Sequence, residues 1–162
     1  MPYWAELWPA GLALAHELPE RLDGARVVEL GCGLGVPSLV AAARGARVTA
    51  VDWAAEAVDL LRENAERNGI ELRAVHADWG GVEGPFDLVL GADLLYEERN
   101  GDALLDVLPA LAPRVLLADP GRSTARGFFD EARRDWEIAE LGNRVYELTR
   151  ATRADRPARG DG

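Results

Sequence analysis

A chain of 162 residues, 48% apolar and 28% charged, has the size of one domain with a buried core, and its composition excludes disordered and fibrous classes. Its net charge of −10 opposes a phosphate backbone, so nucleic acid is not an expected partner, and all 18 basic residues are Arg, which leaves no lysine for Schiff-base or general-base chemistry. No apolar run nears the roughly 18 residues of a membrane span, the first residues lack a signal core, and the single cysteine, Cys32, supports neither a disulfide nor a cysteine metal cluster. A metal-free, cytoplasmic monomer that does not engage membranes is the expectation.

Along the chain, strand-like and helix-like segments alternate, the pattern of an α/β domain with a mostly parallel sheet. A helix is predicted over residues 9–18, with Pro9 at its start. Arg26–Leu30 reads as the first strand and runs into a glycine-rich turn; a helix follows from about Pro37 to Arg44, closed by Gly45. Arg47–Val51 is the second strand, with Asp52 at its end. Residues 54–68 place Ala57, Leu60, Leu61, Asn64 and Ala65 at helical spacing before Gly69. Strands three and four are predicted at Glu71–His76 and Phe86–Ala92, with Gly80, Gly81, Gly84 and Pro85 in the loop between them. Gly101–Leu108 is read as helix, Arg114–Ala118 as strand five and Thr124–Arg134 as helix. Trp136–Leu141 and Val145–Thr149, separated by Gly142-Asn143, predict an antiparallel hairpin. Residues 1–150 form one domain on this reading, and 151–162, rich in Arg, Ala, Pro, Gly and Asp, read as a disordered tail.

The chemistry concentrates where strands end. A glycine-rich turn between strand and helix lets a ligand approach the backbone and meet helix N-terminal amides. The dinucleotide fingerprint G-x-G-x-x-G fails here, because Val36 stands where its third Gly belongs. The segment is instead Glu29-Leu30-Gly31-Cys32-Gly33-Leu34-Gly35, and the acid two residues before Gly31 would repel a pyrophosphate. Glu29 suits the ammonium of a sulfonium amino acid, or the support of the loop itself. Asp52, 21 residues beyond Gly31, is placed to accept ribose hydroxyls. Asp78 is placed to accept from an adenine amino group, and Trp53 to pack beside that ring. Asp52 or Asp78 taken alone reads equally well as a helix cap; three acids at successive strand ends, with the glycine loop, read as a ligand site.

Four segments carry a resemblance: Pro2-Tyr3-Trp4-Ala5-Glu6-Leu7-Trp8-Pro9, the glycine loop, Asp93-Leu94-Leu95-Tyr96, and Asp119-Pro120-Gly121-Arg122. With them the chain resembles the seven-β-strand class I S-adenosylmethionine (SAM)-dependent methyltransferases. More narrowly it is similar to methyltransferase family 16, near the electron-transfer-flavoprotein β-subunit lysine methyltransferases and their bacterial relatives. The resemblance implies a Rossmann-like seven-stranded, mostly parallel sheet with helices on both faces and a C-terminal antiparallel hairpin. It implies a SAM site drawn from Trp8, Glu29, Gly31, Cys32, Gly33, Gly35, Asp52, Trp53, Asp78, Trp79 and Ala92. Asp93 and Tyr96 would border the acceptor.

Methyl transfer from a sulfonium is an in-line displacement, in which alignment supplies roughly 7–11 kcal/mol. The leading expectation is N-methylation of a protein lysine, with Asp93 orienting the amine and Tyr96 shaping its channel. Trp4 and Trp8 suit cation–π contact or, equally, anchoring of the first helix. A small-molecule N- or O-methyltransferase using the same SAM site is the alternative. Asp93-Leu94-Leu95-Tyr96 lacks the Pro-Pro step of amino-methylating base enzymes, and Glu29 and Val36 disfavour nicotinamide chemistry. A cofactor-binding module without catalysis is the remaining class. Cys32 is not expected to act as a catalytic thiol, His16 and His76 read as structural or surface residues, and Asp119-Pro120-Gly121 reads equally as a plain turn.

Overall fold

The computed structural model describes residues 6–151. Expectations that fall on residues 1–5, Trp4 among them, and on the tail beyond Ala151 lie outside the described residues. In chain order the elements are α1 (Pro9–Glu17), β1 (Arg26–Leu30), α2 (Val36–Ala43), β2 (Arg47–Asp52), α3 (Ala55–Arg67), β3 (Arg73–His76), β4 (Leu88–Ala92), α4 (Glu98–Leu111), β5 (Arg114–Ala118), α5 (Ala125–Ala132), β6 (Trp136–Gly142) and β7 (Val145–Arg150). A 3₁₀ turn, Trp79–Gly81, stands between β3 and β4. No helix among the described residues is long and apolar enough to cross a membrane.

The strands form one seven-stranded sheet in the order β3-β2-β1-β4-β5-β7-β6. β1 pairs in parallel with both β2 and β4, β5 joins β4 in parallel, and β7 enters antiparallel between β5 and β6. Because β1 to β3 step one way and β4 steps the other, the strand order reverses beside β1, and the carboxyl ends of β1, β2 and β4 surround a crevice of the kind where open α/β sheets take ligands.

Both sheet faces are covered, so β1 and β4 are near-continuous apolar runs. Val28, Leu30 and Val89 pack with Leu104 and Leu108 of α4 and Phe128 of α5. On the opposite face Val27, Leu88 and Leu90 pack with Leu14 of α1 and Ala41 of α2. Ala50 and Cys32 meet Val58 and Leu61 of α3 there. Each fully buried Leu or Val in these layers contributes about 1.5–3 kcal/mol relative to an exposed one.

Several boundaries differ from expectation: α4 starts three residues earlier, at Glu98, α5 is shorter at both ends, Ala125–Ala132, and others move by a residue. α4 runs past Pro109 to Leu111, because Leu104, Leu108 and Leu111 share the buried face and their packing carries the last turn. β3 starts at Arg73 rather than Glu71: its ladder to β2 begins at Thr49↔Arg73, while Leu72 packs under α2 and α3. β4 starts at Leu88, since the Phe86 N–H donates to Leu111 O at the end of α4 instead of to a strand. The hairpin turn is Asn143-Arg144, one residue later than predicted; both have φ above 0 (51° and 59°), as a two-residue turn of the mirror-image type requires, and Gly142 pairs with Val145.

Candidate functional site

The site begins with the loop between β1 and α2. Gly31, Gly33 and Gly35 have φ of 63°, 48° and 71°, a region that side chains resist. Space demands Gly as well at position 31, where a Cβ would stand 2.7 Å from Leu94 Cδ2. Leu94 belongs to the loop after β4, so the two loops interlock. A Cβ on Gly91 would likewise stand 2.6 Å from Leu94 Cδ1. The loop is fastened by Cys32 N–H to Val51 O at 3.0 Å and Gly35 N–H to Cys32 O at 2.7 Å.

Glu29 is 1% exposed and points to α2, where its Oε2 accepts from the Ser38 N–H at 2.9 Å and the Ser38 hydroxyl at 2.5 Å. Burial pushes its carboxyl up to about 8; the Ser38 hydrogen bonds pull the other way, and Asp52 adds a smaller upward push. Glu29 thereby ties the end of β1 to the first turn of α2. Asp52, 4% exposed, ends β2 and holds both flanking segments: its Oδ2 accepts from Gly33 N–H and its Oδ1 from Ala54 N–H, each at 2.9 Å. A carboxylate offers about four acceptor positions, so Asp52 retains capacity for two hydroxyls. Cys32 is buried, and burial together with Glu29 and Asp52 pushes its thiol far up, which opposes any nucleophilic role.

At the end of β4, Asp93 adopts φ 55°, a left-handed conformation that Asp tolerates better than most residues. Its N–H donates to Ala118 O at 2.8 Å. Its buried carboxylate receives the Arg122 guanidinium in a two-point fork, Nε to Oδ1 at 2.6 Å and Nη2 to Oδ2 at 2.8 Å. The following residues are tied down through their carbonyls: Asn100 Nδ2 donates to Leu94 O at 2.9 Å, and the Thr124 hydroxyl donates to Leu95 O. Tyr96 then projects to the rim.

Trp8, Glu29, Gly31, Cys32, Gly33, Gly35, Asp52, Trp53, Trp79, Ala92, Asp93 and Tyr96 all line one cleft of about 380 Å³, within the range of roughly 300–1,000 Å³ usual for small-molecule sites. Of the residues named from the sequence, Asp78 stands apart: it is exposed, one residue before the 3₁₀ turn, outside the cleft lining. Trp53 presents its ring at the mouth, 67% exposed. Left-handed glycines, a strand-end carboxylate with spare acceptor capacity and a largely apolar wall with an open aromatic ring fit an adenosyl amino acid in size and chemistry.

Sequence reasoning missed Ser38, the partner of Glu29, although a hydroxyl in the first turn after a glycine loop is a usable signal. It also missed Leu94, whose apolar side chain looks like ordinary core, and gave Arg122 no role although its segment was quoted. Val36 and Pro37, at the start of α2, complete the wall.

A mostly parallel sheet with this strand order and an antiparallel β7, a glycine loop after β1 and an acid at the end of β2 define the class of methyltransferase-like α/β folds. The match to the family model described as methyltransferase domain extends over residues 27–114, and the chain belongs to that family. The chain is 36% identical over 132 residues to the electron transfer flavoprotein beta subunit lysine methyltransferase of Xenopus laevis, covering 75% of this chain and 54% of that protein. It is 38% identical over 130 residues to protein N-lysine methyltransferase METTL21A of Mus musculus, covering 70% and 59%. The chain thus spans a little over half the length of these relatives. Among solved structures, magnesium protoporphyrin IX methyltransferase from Synechocystis with bound SAM superposes with a TM-score of 0.69 at 23% identity, over 87% of this chain and 76% of that one, a likeness of fold.

Proposed function

We propose that this chain is a SAM-dependent methyltransferase that methylates the side-chain amine of a protein lysine. The observation that carries the reading is the convergence of the glycine loop, Asp52 and the Asp93–Tyr96 segment on one cleft in a chain of the methyltransferase domain family. The lysine acceptor is supported by the names of the relatives, which are protein lysine methyltransferases. On this reading the chain works as a cytoplasmic monomer.

When bound, SAM supplies an electrophilic methyl group on a sulfonium. Asp52 would accept from the ribose hydroxyls while keeping its bonds to Gly33 and Ala54. Trp53 and Trp79 would flank the adenine, and Asp78, next to Trp79 in the chain, would reach the adenine amino group from the rim. Trp8 and the amides of the Gly31–Gly35 loop would hold the amino-acid end. So held, the cofactor would present its methyl group to the part of the cleft lined by Asp93 and Tyr96.

The acceptor must arrive as a neutral amine. At the ordinary lysine value of about 10.4, deprotonation at pH 7 costs about 4.6 kcal/mol. The apolar wall of Leu94, Trp8 and Tyr96 favours the neutral form by withholding water. Asp93 would accept the remaining N–H bonds and aim the lone pair along the displacement axis. Its role is orientation, because an isolated carboxylate beside an amine would favour the charged form.

The test supplies tritiated SAM and purified protein to a cell lysate and, separately, to electron transfer flavoprotein, and separates labelled protein from labelled small molecules. A discrete labelled protein, with label in methyl-lysine and lost in Asp93→Ala while SAM binding persists, is the expected result. Label confined to small molecules overturns the lysine reading in favour of a small-molecule acceptor. Absence of SAM binding by calorimetry overturns the cofactor assignment.

A further inference from the structure

We propose that Arg122 is a positioning residue for the transfer, fixing the Asp93 carboxylate in the orientation that receives the acceptor, and that Asp119 in turn fixes Arg122. The proposal rests on the methyltransferase reading above.

The chain of contacts starts at β5. Asp119, the residue after that strand, is 2% exposed, and its N–H donates to Arg144 O at 3.1 Å. Its Oδ1 accepts from Gly121 N–H at 2.7 Å and from Arg122 N–H at 2.8 Å, so the carboxylate folds the turn back over itself. Gly121 has φ 93°, and the Arg144 guanidinium occupies the place of a Cβ there. The backbone origin of Arg122 is therefore fixed from three directions. From that origin its guanidinium reaches across to the neighbouring strand β4 and takes both oxygens of Asp93.

A buried carboxylate needs a charged or multiply hydrogen-bonding partner to stay in place. A guanidinium is planar and donates two parallel bonds, so it sets the plane of the carboxylate as well as compensating its charge. The fork places one bond on each oxygen and so orients the carboxylate. A lysine at position 122 would restore charge but not the plane. This distinguishes positioning from charge balance.

The experiment compares wild type, Arg122→Lys, Arg122→Gln, Asp93→Asn, Asp119→Asn and the Arg122→Lys, Asp93→Asn double variant. The readouts are tritium transfer from SAM to the lysate protein fraction that wild type labels, SAM affinity by calorimetry, and melting temperature. Arg122→Lys is expected to lower kcat ten- to a hundredfold, with the acceptor KM changed less than threefold and SAM affinity and melting temperature near wild type. The double variant is expected to be no slower than Asp93→Asn alone. Asp119→Asn, which keeps the shape of the turn but weakens its acceptor, is expected to reproduce a smaller kcat loss. Wild-type kcat in Arg122→Lys, or losses that multiply in the double variant, overturn the positioning role. A faster Arg122→Gln overturns it too, since the guanidinium would then be competing with the acceptor for Asp93. Wild type that binds SAM and labels no protein overturns the lysine reading itself, a result distinct from transfer that is indifferent to Arg122.

Discussion

Gly31→Ala probes how the loops after β1 and β4 hold each other. The new Cβ would stand 2.7 Å from Leu94 Cδ2, against an ordinary carbon–carbon contact of about 3.5–4.0 Å. Leu94 has little room to retreat: it is 6% exposed, its other methyl lies against Gly91, and its carbonyl is held by Asn100. Overpacking of that kind costs about 1–3 kcal/mol. The φ of 63° at Gly31 adds about 1–2 kcal/mol for any residue with a Cβ. Gly31→Ala should therefore destabilise by about 2–5 kcal/mol, and Leu94→Ala alone, as a large-to-small core change, by about 2–5 kcal/mol. Because trimming Leu94 makes room for the added methyl, the double variant should fall short of the sum by about 1–3 kcal/mol. Urea denaturation of the four proteins measures all three quantities. A Gly31→Ala cost below about 0.5 kcal/mol, or strict additivity, would refute the interlock.

Glu29→Gln tests the buried acid: its carboxyl is held up to about 8 in the fold against an ordinary 4.5. The folded state therefore keeps a proton that the unfolded chain releases, so this residue's contribution is full below about pH 4.5 and is lost as pH rises to about 8. Wild type should thus lose stability across that window by up to about 5 kcal/mol relative to Glu29→Gln; parallel pH profiles for the two proteins would remove the argument. Ser38→Ala should destabilise by about 1–3 kcal/mol, because a buried carboxyl then loses one of its two partners; thermal unfolding without a shift would show that Glu29 finds another partner. Asp52→Ala should weaken SAM binding at least tenfold, both through the lost ribose acceptor and through release of Gly33; unchanged affinity by calorimetry would remove the ribose assignment.

Legibility from sequence followed locality. β1, β2 and β5 are short apolar runs closed by turn residues, and their ends fall at or within one residue of the prediction. The glycine loop was readable because its spacing is itself the structure: left-handed residues that only Gly occupies freely. The helix read as Gly101–Leu108 continues through Pro109 to Leu111, because the sequence does not show the core that holds Leu111. Gly142-Asn143 looked like the turn because it contains Gly, whereas an irregularity between Glu140 and Gly142 shifts the β6–β7 register by one residue, pairs Gly142 with Val145 and leaves Arg144 in the left-handed region. In the site, Asp52 was visible as an acid at a strand end, and Asp93 through the motif that carries the resemblance. Their partners were not, since Arg122 lies 29 residues beyond Asp93 and is brought near only by the β4–β5 pairing.

The position of β7 in the sheet bears on how the molecule is put together. β7 is the last strand in the chain but not the last in the sheet, and it covers the side of β5 that β4 leaves unpaired. The Asp119 turn acquires its bond to Arg144, and its covering guanidinium, only when the final hairpin arrives. The half of the cleft that would take the acceptor thus leans on the final hairpin through the Asp119 turn, whereas the glycine loop is fastened by Val51 and Asp52 of β2.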